Sequence, residues 1–330
     1  MKIAVDPNIP FVDLPLRSVA GASLTHDLTP EGVRDADAVI TRTRTRCDAS
    51  LLDGAKCTFV GTATIGTDHI DIPYCESRGI EVANAPGCNA PAVAQWVLEV
   101  AKRTGGFEGR TLGVIGAGNV GSVLIRWARG LGMKVMVNDP FLEVSAPGRY
   151  EYCSLADIAR EADIISVHTP LTNAGDHPTY HLLGDGFVDM LGRRPVLLNA
   201  ARGPVADTKA LLRGLREGRI SDVAIDCWEG EPEIDRELLD KALYATPHIA
   251  GYSREGKVRA TQMVLDAFSR HFGLSGLKAD APEPRPVPET VSEADIVYDI
   301  EADTRRLKAS PETFEAQRNH YDLRPEPGQI

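Results

Sequence analysis

Residues 111–121 read TLGVIGAGNVG, and Asp139 follows 21 positions after Gly118. The apolar run 112–115 predicts a short buried strand. Gly116, Gly118 and Gly121 then form G-x-G-x-x-G, and residues 119–131 predict a helix stopped by Gly132. Each glycine has a reason. The first permits a tight turn, the second lets backbone approach a pyrophosphate, and the third lets helix and strand pack closely. The phosphates then meet a helix N-terminus whose unpaired N–H groups and dipole favour anions. Residues 134–138 predict a second strand, ending at Asp139, where a carboxylate can accept hydrogen bonds from an adenosine ribose. A bare G-x-G-x-x-G also occurs in ordinary glycine-rich turns. The strand before it, the helix after it and the acid at this distance make it a dinucleotide site. Gly116, Gly118, Asn119, Val120, Gly121 and Asp139 are the expected contacts. The cofactor is NAD rather than NADP, because Asp139 would repel a 2′-phosphate.

Working outward, 330 residues give room for two domains with full cores. A net charge of −11 argues against nucleic-acid or anionic-membrane partners. Six cysteines without C-x-x-C spacing read as reduced thiols, neither bridges nor metal ligands. The start, MKIAVDPNIP, is too weakly apolar for a signal peptide, and no apolar stretch approaches the ~20 residues of a membrane span. A cytoplasmic protein is expected.

Strands are predicted at 3–5, 38–40, 58–61 and 80–84, then at 164–167, 195–198 and 222–225. Helices are predicted at 90–103, 154–161, 207–217 and 253–272. Strand alternating with helix means parallel sheets covered on both faces. The expected fold is α/β, with two Rossmann-like or flavodoxin-like lobes and a cleft between them. Residues 1–90, completed by 251–275, form a substrate lobe, and 91–250 form the NAD-binding lobe. Residues 276–330 begin as a proline-punctuated spacer and continue as a short α+β segment, with a strand at 295–300 and a helix at 311–320. So small a segment cannot bury its own core. Ile296, Val297, Ile300 and Phe314 are therefore expected to be covered by a second subunit, in a homodimer.

Several charged groups fall where strands finish. The run 41–46, TRTRTR, would place Arg42, Arg44 and Arg46 on one face if extended. That face is either a solvated edge or an anion-binding wall, with Arg42 the first candidate for a substrate contact. His69 beside Asp68 reads as a structural pair at least as readily as a catalytic one. Arg202, Asp226, Glu231 and His248 stand at or beyond the ends of the later strands. An arginine can clamp a carboxylate with two parallel hydrogen bonds. A histidine can exchange a proton with a hydroxyl or carbonyl oxygen, and a glutamate on its other nitrogen fixes the tautomer. Beside a nicotinamide, that set interconverts a 2-hydroxy acid and a 2-oxo acid.

The ordered motifs GAGNVG at 116–121, HTPL at 168–171, NAARG at 199–203, DCWEGEP at 226–232 and PHIAG at 247–251 resemble the D-2-hydroxyacid dehydrogenases. The resemblance implies that Arg202, Glu231 and His248 are the catalytic triad and that Asp226 holds the nicotinamide amide. It places His168, Thr169, Ala200, Ala201 and Gly251 along the cofactor. Stretches 61–69, 85–90 and 248–253 are most similar to members that oxidise a phosphorylated four-carbon 2-hydroxy acid on the route to vitamin B6. By that likeness Thr43, Thr64 and Tyr252 touch substrate. The C-terminal segment is shorter than the dimerisation domain of those members. Other D-2-hydroxy acids, such as 3-phosphoglycerate or glycerate, and an NAD-sensing module without turnover are the alternative readings.

Overall fold

A computed structural model describes residues 1–328, so the last two residues of the expected 276–330 segment lie outside it. The chain divides into two compact units. The first comprises Met1–Asn89 and Ser253–Arg285, and the second Ala90–Tyr252 and the chain from Pro286 onward. The proline-rich spacer therefore divides between the units rather than standing apart from both.

The first unit holds β1 (Lys2–Val5), β2 (Ser23–Thr25), β3 (Ala38–Thr41), β4 (Phe59–Thr62) and β5 (Glu81–Ala83), in the order β2-β1-β3-β4-β5. All neighbours are parallel. β2 has no apolar run to announce it and is an edge strand set by pairing Lys2 to Ser23 and Ala4 to Thr25. The helix Arg254–His271 covers β4, with Phe268 edge-on to Phe59 at 5.9 Å between ring centroids. The arginine run does not stay extended. Chain 43–45 turns, Arg42 donates to the Asn8 carbonyl at 3.1 Å, and Arg46 bonds Asp48 at 2.5 Å.

The second unit holds β6 (Thr111–Ile115), β7 (Lys134–Asn138), β8 (Ile164–Val167), β9 (Val196–Asn199), β10 (Asp222–Ile225) and β11 (Tyr244–Ala245). They form a parallel sheet in the order β11-β10-β9-β8-β6-β7. From β6 the chain goes first to one side, to β7, and then returns to the other, to β8. That reversal opens a crevice at the carboxyl end of β6, where open α/β sheets bind ligands. The glycine run sits there. Gly121 lies so close to the Gly116 carbonyl that a Cβ would drive into its oxygen, and Gly116 turns at φ +90°.

Helix Ala90–Arg103 is buried all round from Ala90 through Ala101, Gln95 and Glu99 included. The C-terminal segment covers the remaining face. Gln95 donates to the carbonyls of Val297 at 2.9 Å and Pro325 at 3.2 Å, and Trp127 donates to the Pro288 carbonyl at 2.9 Å. Ile296, Ile300 and Phe314 are buried in the chain's own core, while Val297 is 54% exposed. The apolar argument for a second subunit therefore fails, because intrachain packing meets the same need. The expected strand at 295–300 is also absent. Ser292 and Asp295 close a capping box on a 3-10 turn at Glu293–Asp295, and Asp299 caps the helix Ile300–Ala309, so local caps claim the backbone. The helix expected at 311–320 is a 3-10 turn, Pro311–Thr313, running into Phe314–Asn319.

No helix among the described residues is long and apolar enough to cross a membrane. The cysteines are free thiols, and burial pushes Cys47 up to about 12, far from thiolate at neutral pH.

Candidate active site

The nucleotide crevice is assembled from backbone first. Helix Asn119–Gly130 starts at Gly118, and no atom stands within 4 Å of where a Gly118 Cβ would be. The first N–H groups of the helix, from Asn119, Val120 and Gly121, have no partner within the helix itself. Asp139 accepts from the Ala117 N–H at 2.9 Å with one oxygen and caps the next helix through Leu142 N–H at 3.0 Å with the other. It thus shapes the glycine loop as well as ending β7, and each oxygen retains a second lone pair for a ribose. At the end of β8 the His168 ring meets the Ser166 hydroxyl at 2.9 Å, and burial pushes its pKa down to about 3. His168 is therefore a neutral wall rather than a proton carrier. The neighbouring Thr169 hydroxyl is buried without a hydrogen-bond partner.

β9 ends at Asn199, a residue that the sequence reading did not single out for a role. Its amide donates to the carbonyls of Arg202, Gly203 and Cys227 and its oxygen accepts from Ala201 N–H. One buried side chain thereby folds the Ala200–Ala201–Arg202 loop against the end of β10. Arg202 donates to the Ala201 carbonyl at 2.8 Å.

Asp226 follows β10 and is 1% exposed. Its Oδ1 accepts from the Thr246 hydroxyl at 2.6 Å and from Ile249 N–H at 2.8 Å, and its carbonyl accepts from His248 N–H at 2.9 Å. Burial raises its pKa, against the His248 charge and these hydrogen bonds. The residue expected to hold a nicotinamide amide is thus also the anchor of the His248 loop. His248 itself sits at φ +57°, a conformation that a non-glycine residue holds only when its surroundings over-determine it.

His248 Nδ1 lies 2.8 Å from Glu231 Oε2, and Glu231 Oε1 accepts from Trp228 N–H at 2.7 Å. Burial pushes the Glu231 carboxyl up, but the His248 charge, its hydrogen bond and the Trp228 N–H outweigh it, leaving the group below its ordinary 4.5. Glu231 is therefore ionised at neutral pH and holds Nδ1 as a donor, leaving Nε2 as the nitrogen for chemistry. Gly251 and Tyr252 complete this loop, where Tyr252 N–H bonds the Ile249 carbonyl at 2.8 Å. Two residues absent from the sequence reading brace it. Arg324, buried, donates to the carbonyls of Ile249, Ala250 and Tyr252. Arg318 donates to the Tyr252 hydroxyl at 3.1 Å. Neither carried a motif; each is an arginine in a charged tail until the tail folds back.

The triad, Asp226, Tyr252 and the glycine loop all belong to the second unit, whereas Arg42, Thr43 and Thr64 belong to the first. Thr43 is exposed in the turn after β3. The Thr64 hydroxyl lies 2.7 Å from that of Thr62 and donates to the Gly66 carbonyl at 3.1 Å. His69 bonds the Thr62 hydroxyl at 3.1 Å and burial lowers its pKa, which makes it a structural residue.

Residues 92–250 match the family model for the D-isomer specific 2-hydroxyacid dehydrogenase, NAD binding domain. A Bacteroides thetaiotaomicron protein named erythronate-4-phosphate dehydrogenase is 45% identical, over 99% of this chain and 97% of its own. A Marinobacter nauticus protein of the same name is 43% identical, over 83% of this chain and 73% of its own. Among solved structures, the NAD+-bound 3-phosphoglycerate dehydrogenase of Entamoeba histolytica superposes with a TM-score of 0.69 at 26% identity. That match covers 86% of this chain and 99% of the other. With a relative 45% identical over nearly its whole length and the strand-end loops built as described, the chain belongs to the D-isomer-specific 2-hydroxyacid dehydrogenase family.

Proposed function

We propose that the chain oxidises 4-phospho-D-erythronate to 2-oxo-3-hydroxy-4-phosphobutanoate with NAD, in the cytoplasmic synthesis of vitamin B6. The His248–Glu231 pair, held like Arg202 on loops at strand ends of one sheet, is the observation that carries the chemistry. The substrate follows from the name borne by relatives that span almost the entire chain.

The residues at the crevice fit NAD. Gly118 leaves its helix N-terminus open, the Thr169 hydroxyl is buried and unpartnered, and Asp139 offers a carboxylate to an unphosphorylated ribose. Bound NAD supplies the hydride acceptor. Arg202 grips the C1 carboxylate and so fixes which face of C2 is presented. As the C2 hydrogen departs with its electron pair, His248 Nε2 takes the hydroxyl proton and the C2–O bond becomes a carbonyl. The imidazolium so formed is stabilised by Glu231, which is already ionised. Asp226 keeps the loop in place through its bonds to His248 and Ile249 N–H. Thr43, Thr64 and Tyr252 are assigned to the substrate's hydroxyl and phosphate oxygens.

The test is NADH formation with a panel of 4-phospho-D-erythronate, D-erythronate, 3-phosphoglycerate and glycerate. Turnover of the first with the highest kcat/KM is expected. Preference for another acid overturns the substrate, and NAD binding without turnover of any acid would favour a sensor.

A further inference from the structure

A phosphorylated acid needs a second cation, because Arg202 is committed to the carboxylate. The tail carries several. Arg305 and Arg306 lie on helix Ile300–Ala309, 70% and 58% exposed in their side chains, facing Glu301 at 3.7 Å and Asp303 at 3.5 Å. They are solvated surface pairs, worth little. Arg318 is different.

Arg318 belongs to the short helix Phe314–Asn319, which is pinned by Phe314, 1% exposed in the core. Its side chain is 15% exposed. Its Nε donates to the hydroxyl of Tyr252, four residues beyond His248. Its charge lowers the pKa of Glu231 and Cys227, both in the loop that follows β10. Glu231 accepts from Trp228 N–H and faces His248 Nδ1 with its two oxygens, and makes no direct hydrogen bond with Arg318. The nearest ion-pair partner is Glu315, at 3.8 Å from Nη1, too far for a hydrogen bond. Among the described residues Nη2 has no acceptor. A largely buried guanidinium with unmet donors, beside the reacting groups, is a site made for a doubly charged oxyanion.

We infer that Arg318, together with the Tyr252 hydroxyl, binds the substrate's phosphate. The tail then selects a phosphorylated acid within its own chain. This assignment rests on the substrate proposed above. It divides the anionic ends of the substrate between two arginines, Arg202 at C1 and Arg318 at C4, with His248 acting at C2.

The experiment compares 4-phospho-D-erythronate with D-erythronate for the wild type, Arg318→Ala, Arg318→Lys and Tyr252→Phe, each checked for an unchanged melting temperature. In Arg318→Ala the ratio of kcat/KM for the phosphorylated over the plain acid should fall about 10–100-fold, mostly through KM. Arg318→Lys should recover part of it, because charge returns without the fork. An equal fall for both acids would overturn the assignment. Calorimetric titration of the NAD-loaded protein with inorganic phosphate separates this outcome from a wrong substrate. If neither acid is turned over, phosphate binding that is lost in Arg318→Ala upholds the anion site. Equal binding to wild type and variant refutes it.

Discussion

Two histidines of the second unit are built almost alike. His248 sits at φ +57° with Nδ1 2.8 Å from Glu231, and His181 sits at φ +52° with Nε2 2.7 Å from Glu229. Their side chains are 29% and 30% exposed. Burial pushes both glutamates up, and their histidine and backbone N–H partners bring both below the ordinary value. The difference lies at the second ring nitrogen. His181 Nδ1 faces Asp207 at 3.4 Å, and Glu229 also accepts from Thr208 N–H at 2.9 Å, so this imidazole is clamped from both sides. His181 N–H bonds the Pro204 carbonyl, bracing the loop that leaves Arg202. In His248, Glu231 takes one nitrogen only. An imidazole held at both nitrogens is a brace; one held at a single nitrogen can move a proton.

That contrast predicts the largest effect. His248→Asn should lower kcat by about 10²–10⁴-fold, the usual contribution of a general acid–base group. His181→Asn should leave kcat within about twofold and lower the melting temperature instead, as loss of buried hydrogen bonds does. A comparable loss of kcat in both variants would break the distinction.

The glutamates sharpen it through pH. A carboxyl with a lowered folded pKa contributes stability above its unfolded value of 4.5, and that contribution is lost as pH falls through the lower folded value. Glu229→Gln and Glu231→Gln should therefore each shrink the gap in melting temperature between pH 7 and pH 3. The expected cost at pH 7 is about 1–3 kcal/mol apiece. Only Glu231→Gln should also lower kcat, because the imidazolium formed in turnover loses its charged partner. An equal fall in kcat in both variants contradicts the single-nitrogen argument.

Asp139→Asn is a milder test on the same sheet. Asparagine still caps the following helix, so the change removes charge rather than fold. The preference for NAD over NADP should narrow by about tenfold. An unchanged ratio would move discrimination elsewhere. The smallest effect is expected from Arg305→Ala with Arg306→Ala. Stability should stay within about 0.5 kcal/mol and KM for the phosphorylated acid should not move. A raised KM would transfer the phosphate assignment from Arg318 to this helix.

The regions read correctly from sequence share one property: their cause lies within a few residues. Gly116–Gly121 makes its turn and helix start from its own backbone, and Asp139 ends its strand and caps the next helix locally. The end of β9 and the Asp226–Pro232 stretch are likewise continuous segments. Where the reading missed, the cause was distant or hidden. β2 exists only because Lys2–Ala4 offers an edge to Ser23–Thr25. The arginine run at 42–46 turns rather than extends, with Arg42 taken by the Asn8 carbonyl and Arg46 by Asp48.

The parallel α/β order, the dinucleotide crevice and the residue types that end the strands are legible in the amino-acid sequence, because strand periodicity and glycine conformations are local properties. What the tail does emerges only on folding. Gln95, Arg324 and Ile249 are more than 70 positions apart where they bond, and Arg318 meets Tyr252 across 66. No periodicity encodes such meetings. They arise because the second face of helix Ala90–Arg103 must be covered, and this chain covers it with its own C-terminal segment, bringing one tail arginine to the catalytic loop.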